Sequence, residues 1–336
     1  MNSIKKIKLG SQGLVVPVVG LGCMGMTKIA HMDIYGKSDE AESIATIHRS
    51  LELGGNFLDT ADLYGPLANE RLIAKAIKGN RNQYILASKF GYEIDDNEQL
   101  TWQINGKPVY VKKALERSLK NLGTDHIDLY YLHRLDPATP IEETVAAMAE
   151  LVKEGKIRYI GLSEVSSETI KKAHAIHPLT AVQTEYSLFE RKVEEAGILN
   201  TLQGLGIGFV AYSPLGRGFL TGEIQSPDDF EEGDFRKSTP RFMGENFDKN
   251  IALVKEIEKI AAGKGVTPSQ LAIAWIINKG HLPIPGTKRV KYVEQNLAAA
   301  AISLTQAEMD KIDEIMPLGL DTGARYDEAS LAAIDN

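Results

Sequence analysis

Asn56-Phe57-Leu58-Asp59-Thr60-Ala61-Asp62-Leu63-Tyr64-Gly65 is a short apolar run that ends in a carboxylate and opens into a loop carrying a tyrosine. Two later runs end in complementary groups. Ile85-Leu86-Ala87-Ser88 leads into Lys89, and Leu129-Tyr130-Tyr131-Leu132 leads into His133. An acid, a phenol, an ammonium and an imidazole at the C-terminal ends of successive strands form one proton-transfer site if those strands close into a barrel.

Working outward, the chain alternates apolar strand-like runs with segments of helical spacing. Residues 5–9 and 14–17 flank Gly10-Ser11-Gln12-Gly13 as an N-terminal β-hairpin. Strands are expected near Val18, Phe57, Ile85, Leu129, Tyr159, Ala181, Phe209 and Leu282, each followed by a helix. The helices are expected at 39–53, 70–77, 111–122, 141–152, 166–175, 194–205, 248–262 with 268–278, and 290–300. A further helix is expected at 305–316. Strands apolar throughout and separated by helices imply a parallel sheet covered on its outer face. Eight such units specify a single (β/α)8 TIM barrel of class α/β, with the hairpin at one end and extra C-terminal helices, spanning 1–336 as one domain. An open doubly wound sheet is the rival. The long connection 213–247 is rich in Gly, Pro and charge, as functional loops are.

Composition bounds the partners. The 336 residues are 43% hydrophobic and 25% charged, with a formal net charge of −7. No global positive field steers in nucleic acid or an anionic membrane surface. One cysteine, Cys23, forms no internal disulfide and supplies no zinc cluster. No apolar stretch is long enough to span a bilayer and the N-terminus lacks an export h-region, so a cytoplasmic protein, monomer or homo-oligomer, is expected.

In a barrel the loops after the strands gather at one face, so Asp59, Tyr64, Lys89 and His133 meet there. A lysine ammonium about 4 Å from a phenol, at an effective dielectric near 20, stabilises the phenolate by roughly 4 kcal/mol. That brings the phenol's pKa down by about three from its ordinary value. Asp59 pairs with Lys89, and His133 orients a carbonyl oxygen. Proton delivery to oxygen without a nucleophilic serine or cysteine suits carbonyl reduction, given a hydride donor. Singly, each residue has a plainer role: a turn-forming acid, a half-buried ring, a surface lysine, a loop histidine.

The donor needs the other half of the mouth. Ser163, Glu164 and Gln183 end the fifth and sixth strands and offer hydrogen bonds to a carboxamide. Tyr212 offers a ring to stack on a nicotinamide. Ser213-Pro214-Leu215-Gly216-Arg217-Gly218 lets backbone N–H groups approach a pyrophosphate. Pro285-Gly286-Thr287-Lys288-Arg289 opens the last barrel helix, a place for an anion, with Lys288 and Arg289 suited to a 2′-phosphate. Gly20-Leu21-Gly22-Cys23-Met24-Gly25 matches a dinucleotide fingerprint, but residues 27–36 intervene before any helix. Gly22 and Met24 are therefore expected in the first loop, under the cofactor.

These stretches, with Gly161-Leu162-Ser163, Val182-Gln183, Ala211-Tyr212-Ser213-Pro214-Leu215-Gly216 and Ile284-Pro285-Gly286-Thr287-Lys288, resemble the aldo-keto reductases over about residues 5–316. Thr184-Glu185-Tyr186-Ser187-Leu188 and Pro240-Arg241-Phe242 are similar to the auxin-induced and pyridoxal-reductase-like branch. The resemblance implies a (β/α)8 barrel, NADPH/NADP+ as cofactor with NADH less favoured, and a small-molecule aldehyde or ketone as substrate. It places the tetrad on Asp59, Tyr64, Lys89 and His133, with Tyr64 as general acid. It also puts the carboxamide pair on Ser163 and Gln183, the stacking ring on Tyr212 and adenine contacts on Gln295 and Asn296. Two departures stand out. Glu164 occupies a position that is Asn in many members, and Gly286-Thr287 follows Pro285 where many have Lys-Ser. The tail after Pro317 matches nothing. A non-enzymatic NADPH sensor and a hydrolase using Glu164 with Glu185 are the rival functions. Substrate-pocket walls are expected from loop residues such as Tyr92, Trp102 and Phe242, and the arginines of 213–247 are expected to close over a pyrophosphate.

Overall fold

Period-two alternation sets the architecture: along each strand every second side chain points into the barrel. The computed structural model describes residues 4–29, 35–326, 328–331 and 334–335. Its strands are β1 (Lys6–Lys8), β2 (Val15–Pro17), β3 (Leu21–Gly22), β4 (Phe57–Asp59), β5 (Ile85–Phe90), β6 (Tyr92–Ile94), β7 (Leu100–Ile104), β8 (Ile127–Leu132), β9 (Ile157–Ser163), β10 (Ala181–Glu185), β11 (Gly208–Tyr212) and β12 (Leu282–Pro283). The α-helices are α1 (Glu40–Glu52), α2 (Ala68–Ile77), α3 (Pro108–Leu122), α4 (Ile141–Lys153), α5 (Ser167–Ile176), α6 (Lys192–Glu195), α7 (Ile198–Leu205), α8 (Gly244–Lys264), α9 (Pro268–Asn278), α10 (Val290–Ala298), α11 (Gln306–Ile315) and α12 (Glu328–Leu331).

Eight parallel strands run in the order β3-β4-β5-β8-β9-β10-β11-β12. The ends of this sheet meet: Gly20 N donates to Pro283 O at 3.0 Å and Gly22 N to Pro285 O at 3.2 Å. This is the expected (β/α)8 barrel. Antiparallel β1 and β2 form the N-terminal hairpin, and its Leu9, Leu14 and Val16 pack with Phe57, Ala87, Leu129, Tyr131, Ala181, Val210, Leu282 and Ile284 inside the barrel. The larger apolar core lies between the strands and the helical ring.

Local chemistry accounts for the helix ends. Asp39 caps α1 by accepting from Glu42 N at 2.8 Å. Gly123 in the left-handed region (φ +62°) ends α3. Thr267 and Gln270 form a capping box on α9. Differences from the sequence reading have equally local causes. The segment expected as one helix over 194–205 is broken at Gly197 (φ +70°) into α6 and α7. The first strand is shorter than expected because Val18 N turns to Lys5 O of the hairpin. The pair β6 and β7, absent from the sequence reading, is a second hairpin rising beside the mouth. The glycine-rich stretch at Gly20 leads into a single turn of 3-10 helix at Met24–Met26, not an α-helix. Of the stretch 27–36 that follows, residues 30–34 lie outside those described.

Inward parity carries the function. Asp59, Lys89, His133, Ser163, Gln183 and Tyr212 stand at even spacing above Phe57, Ala87, Tyr131, Gly161, Ala181 and Val210, so all six top the barrel interior. Gly161 is required beneath them, because a Cβ there would lie 2.3 Å from the ring of buried Tyr131. Gly161→Ala is expected to destabilise the fold by about 1–3 kcal/mol through overpacking. An unchanged midpoint in denaturant unfolding would refute this.

Candidate active site

The four groups picked from strand ends converge. Lys89 Nζ is fully buried, pairs with Asp59 Oδ1, and donates to Thr60 O at 2.9 Å and to the Tyr64 hydroxyl at 3.5 Å. The second Asp59 oxygen accepts from Gln183 Nε2 at 2.7 Å. His133 stands edge-on to the rings of Tyr64 and Tyr92, with centroids 6.0 and 5.7 Å apart, and its Nδ1 is buried without a partner.

The electrostatics correct one expectation. Tyr64 does not fall below the ordinary phenol pKa; burial pushes it up, and the downward pull of Lys89 is the smaller effect. The Asp59 carboxylate opposes that pull, so the phenol faces an ion pair and not a lone cation. Lys89 itself stays protonated. Burial alone would lower its pKa, but Asp59 and Tyr64 hold it above the ordinary value. Burial, helped by Arg134 and Lys89, keeps His133 well below the usual imidazole range, so it is neutral with a single N–H to donate. One layer behind, burial raises Asp62 to about 8 and Glu70 to about 7, with Arg117 close by.

On the other half of the mouth the arrangement differs from the reading in detail. Ser163 is 1% exposed at the end of β9. Gln183, expected on a carboxamide, has its amide nitrogen committed to Asp59 and leaves its carbonyl for a ligand. Glu164 sits in the left-handed region (φ +54°) and is held by Arg325 in a two-pronged pair at 3.0 and 2.7 Å. It also accepts from Glu185 N at 2.9 Å. Glu185 in turn receives Arg217 at 2.7 Å and Arg241 at 3.4 Å, while Arg241 reaches Glu190 at 3.0 Å. Burial would raise Glu185, but Arg217, Arg241 and Arg325 bring it below the usual carboxylate range. Two carboxylates so engaged are not an acid pair for hydrolysis.

The 213–218 loop is sharply folded, with Ser213, Gly216, Arg217 and Gly218 at φ of +49°, +57°, +57° and +106°. The N–H groups of Gly216 and Gly218, expected to face a pyrophosphate, turn onto Ser213 O and Leu215 O. Arg217 keeps one nitrogen, Nη1, buried and unpartnered. Arg236 binds Asp234 and the Arg217 carbonyl. The arginines expected to close over a phosphate are thus largely engaged within the protein. Lys288 donates to the carbonyls of Tyr35 and Gly36, and Arg289 is exposed at the start of α10. Gln295 bonds Thr267 at 2.7 Å, and Asn296 is 4% exposed. Gly22 abuts Gly286, and Met24 lies near Tyr64. Tyr92 and Trp102 stand together on the second hairpin beside His133. Phe242 instead is 2% exposed and stacks on Phe219 inside the 213–247 connection.

What the sequence reading missed is the tail. Arg325 holds Glu164, the Tyr326 ring lies 4.2 Å from the Arg217 guanidinium, and the hydroxyls of Tyr326 and Tyr212 are 3.2 Å apart. Asp335 accepts from Ser166 N and Oγ at 3.0 Å. The departure at Glu164 has its counterweight here: the carboxylate comes with an arginine 161 residues downstream.

A parallel barrel thus carries at its mouth a buried acid–ammonium pair beside a phenol and a neutral imidazole. Comparison with known proteins agrees. The profile of the Aldo/keto reductase family matches residues 19–317. An NADP(+) aldo-keto reductase of Schizosaccharomyces pombe is 47% identical over 330 residues, 96% of this chain and 95% of the relative. Among solved structures, a glycerol dehydrogenase of Gluconobacter oxydans superposes with a TM-score of 0.83 at 29% identity, covering 92% of this chain and 94% of its own. An aldo-keto reductase of Bacillus halodurans does so at 0.76 and 29%, covering 97% and 99%. The chain belongs to the aldo/keto reductase family of oxidoreductases.

Removing one partner of a buried pair leaves the other charge stranded. Arg325→Gln is expected to lower stability by about 3 kcal/mol, and adding Glu164→Asn should recover much of it. Additive losses in that double-mutant cycle would show that the pair is not coupled.

Proposed function

We propose that the protein reduces aldehyde or ketone carbonyls to alcohols with NADPH, Tyr64 delivering the proton to the carbonyl oxygen. The observation that carries this is the buried Lys89 ammonium, held by Asp59 and reaching the Tyr64 hydroxyl at 3.5 Å. Tyr64 keeps its proton at neutral pH, as an ordinary phenol does, and burial raises its pKa further. As the O–H bond breaks, the charge left on the phenolate develops beside Lys89. His133, neutral, donates its N–H to the carbonyl oxygen and holds it at Tyr64.

The cofactor is NADPH/NADP+, in keeping with the NADP(+) in the name of the S. pombe relative. The buried, unpartnered Nη1 of Arg217 at the folded 213–218 loop fits an anionic group there. When bound, NADPH supplies a hydride to the carbonyl carbon. Ser163 and the Gln183 carbonyl would hold the carboxamide, and Tyr212 would stack on the ring. Lys288 and Arg289 would face the 2′-phosphate, and Gln295 and Asn296 the adenine. Chain 1–336 is read as one cytoplasmic domain; no described helix is long and apolar enough to cross a membrane, and its one cysteine is buried.

Tyr64→Phe should cut NADPH oxidation with 4-nitrobenzaldehyde by about 10²–10⁴-fold, the usual worth of a general acid, with NADPH fluorescence quenching intact. Turnover in the variant near the wild-type rate would sink the reading. The acid is lost only as pH rises past a raised phenol pKa, and His133 charges only well below the usual imidazole range. The kcat of reduction should therefore be flat between about pH 7 and 9.

A further inference from the structure

One cation at the mouth has no counter-ion. Arg134 follows His133 directly, is 9% exposed, and donates Nη1 to the His133 carbonyl at 2.7 Å. Among the described residues no carboxylate pairs with it. The nearest acid in sequence, Asp136, is taken by Gly106 N, Ala138 N and the Thr139 hydroxyl.

The other charges facing the mouth cancel. Lys89 answers Asp59, Arg325 answers Glu164, and Arg217 and Arg241 answer Glu185 and Glu190. Tyr64 and His133 are neutral. The groups that act on the Arg134 charge are the phenols of Tyr212, Tyr326 and Tyr92 and, among acids, the already paired Glu164. Its Nη1 lies 2.7 Å from the His133 carbonyl, and the His133 ring stands edge-on to Tyr64 and Tyr92, so the guanidinium is anchored beside the residue that would handle the carbonyl.

A guanidinium cannot shed its proton, and burying it unpaired is costly. The neutral partners of Arg134, the His133 carbonyl and the Tyr92 hydroxyl, do not balance its charge, and a ligand anion would. Its planar fork matches a carboxylate, two parallel N–H groups to two oxygens. We propose that Arg134 anchors a carboxylate on the substrate, so that the site takes carbonyl compounds that also carry a carboxylate close to the carbonyl. This rests on the carbonyl-reduction reading. The cofactor's own phosphates have other places, at the 213–218 loop and at Lys288 and Arg289.

The test uses 2-, 3- and 4-formylbenzoate and their methyl esters with the full-length wild type, Arg134→Gln and Arg134→Lys. The wild type should prefer at least one carboxylate over its ester by about 10- to 100-fold in kcat/KM, the worth of a charged hydrogen-bonded contact, expressed in KM. The carboxylate-to-ester ratio should fall to near one in Arg134→Gln and survive in part in Arg134→Lys. Benzoate titrated calorimetrically into the NADP+-loaded protein should bind the wild type and not Arg134→Gln. The proposal is overturned if no isomer is preferred, if the ratio persists in Arg134→Gln, or if that variant loses NADPH affinity instead, which would make the cation a cofactor contact. Should none of the aldehydes turn over, the reduction reading fails separately. Benzoate binding then still decides: binding that depends on Arg134 supports the anchor, and no binding, or equal binding to both proteins, removes it.

Discussion

The buried pair of Asp59 and Lys89 is the constraint on which the mouth depends. Neither side chain is more than 4% exposed, and an ammonium taken out of water is tolerated only if its donors find acceptors. Lys89 has three: the Asp59 carboxylate, the Thr60 carbonyl and the Tyr64 oxygen. Because Thr60 and Tyr64 belong to the loop after β4, the same ion that needs them also fixes that loop against β5. Gln183, from across the barrel, closes the last Asp59 oxygen. Strand register, loop position and protonation state are thus one condition, since a slip of one residue in β5 would turn Lys89 out of the barrel.

A second ionic layer governs the opposite half. There three carboxylates and three arginines interlock, contributed by the ends of β9 and β10, the 185–190 turn, the 213–247 connection and the tail. The pairing draws together segments that no strand ladder joins. It also makes the tail part of the mouth, because Arg325 balances the Glu164 carboxylate at the end of β9. The two halves differ in kind. One presents a balanced pair beside a phenol, and the other is an interlocked network of carboxylates and guanidinium groups.

Much of this was legible in the chain. Their position at or near the ends of successive apolar runs picked out Asp59, Lys89, His133, Ser163, Gln183 and Tyr212, and strand–helix alternation brought those ends together. The helices expected at 39–53, 141–152 and 268–278 lie within a residue of α1, α4 and α9 at both ends. What stayed hidden depends on distance or depth. Arg325 and Glu164 are 161 residues apart and neither lies in a periodic pattern. The second hairpin is built of half-exposed residues whose alternation is weak. The sign of the Tyr64 shift needs burial and the Asp59 charge together, and sequence shows neither the depth nor the angle at which they act.

That sign bears on how a tyrosine serves as an acid. A phenol brought down to neutral pKa before reaction would stand half ionised, with half the molecules lacking the proton to be given. Here burial keeps Tyr64 protonated, and the ammonium has its main partner in Asp59 while the site rests. In the proposed reaction a second anion forms beside Lys89 as the proton leaves, and the attraction grows with the charge. Stabilisation that appears only as charge develops lowers the barrier, whereas stabilisation already present in the resting enzyme does not. On the proposed mechanism, the acidity that matters is therefore expressed along the reaction, and no depressed resting pKa is needed.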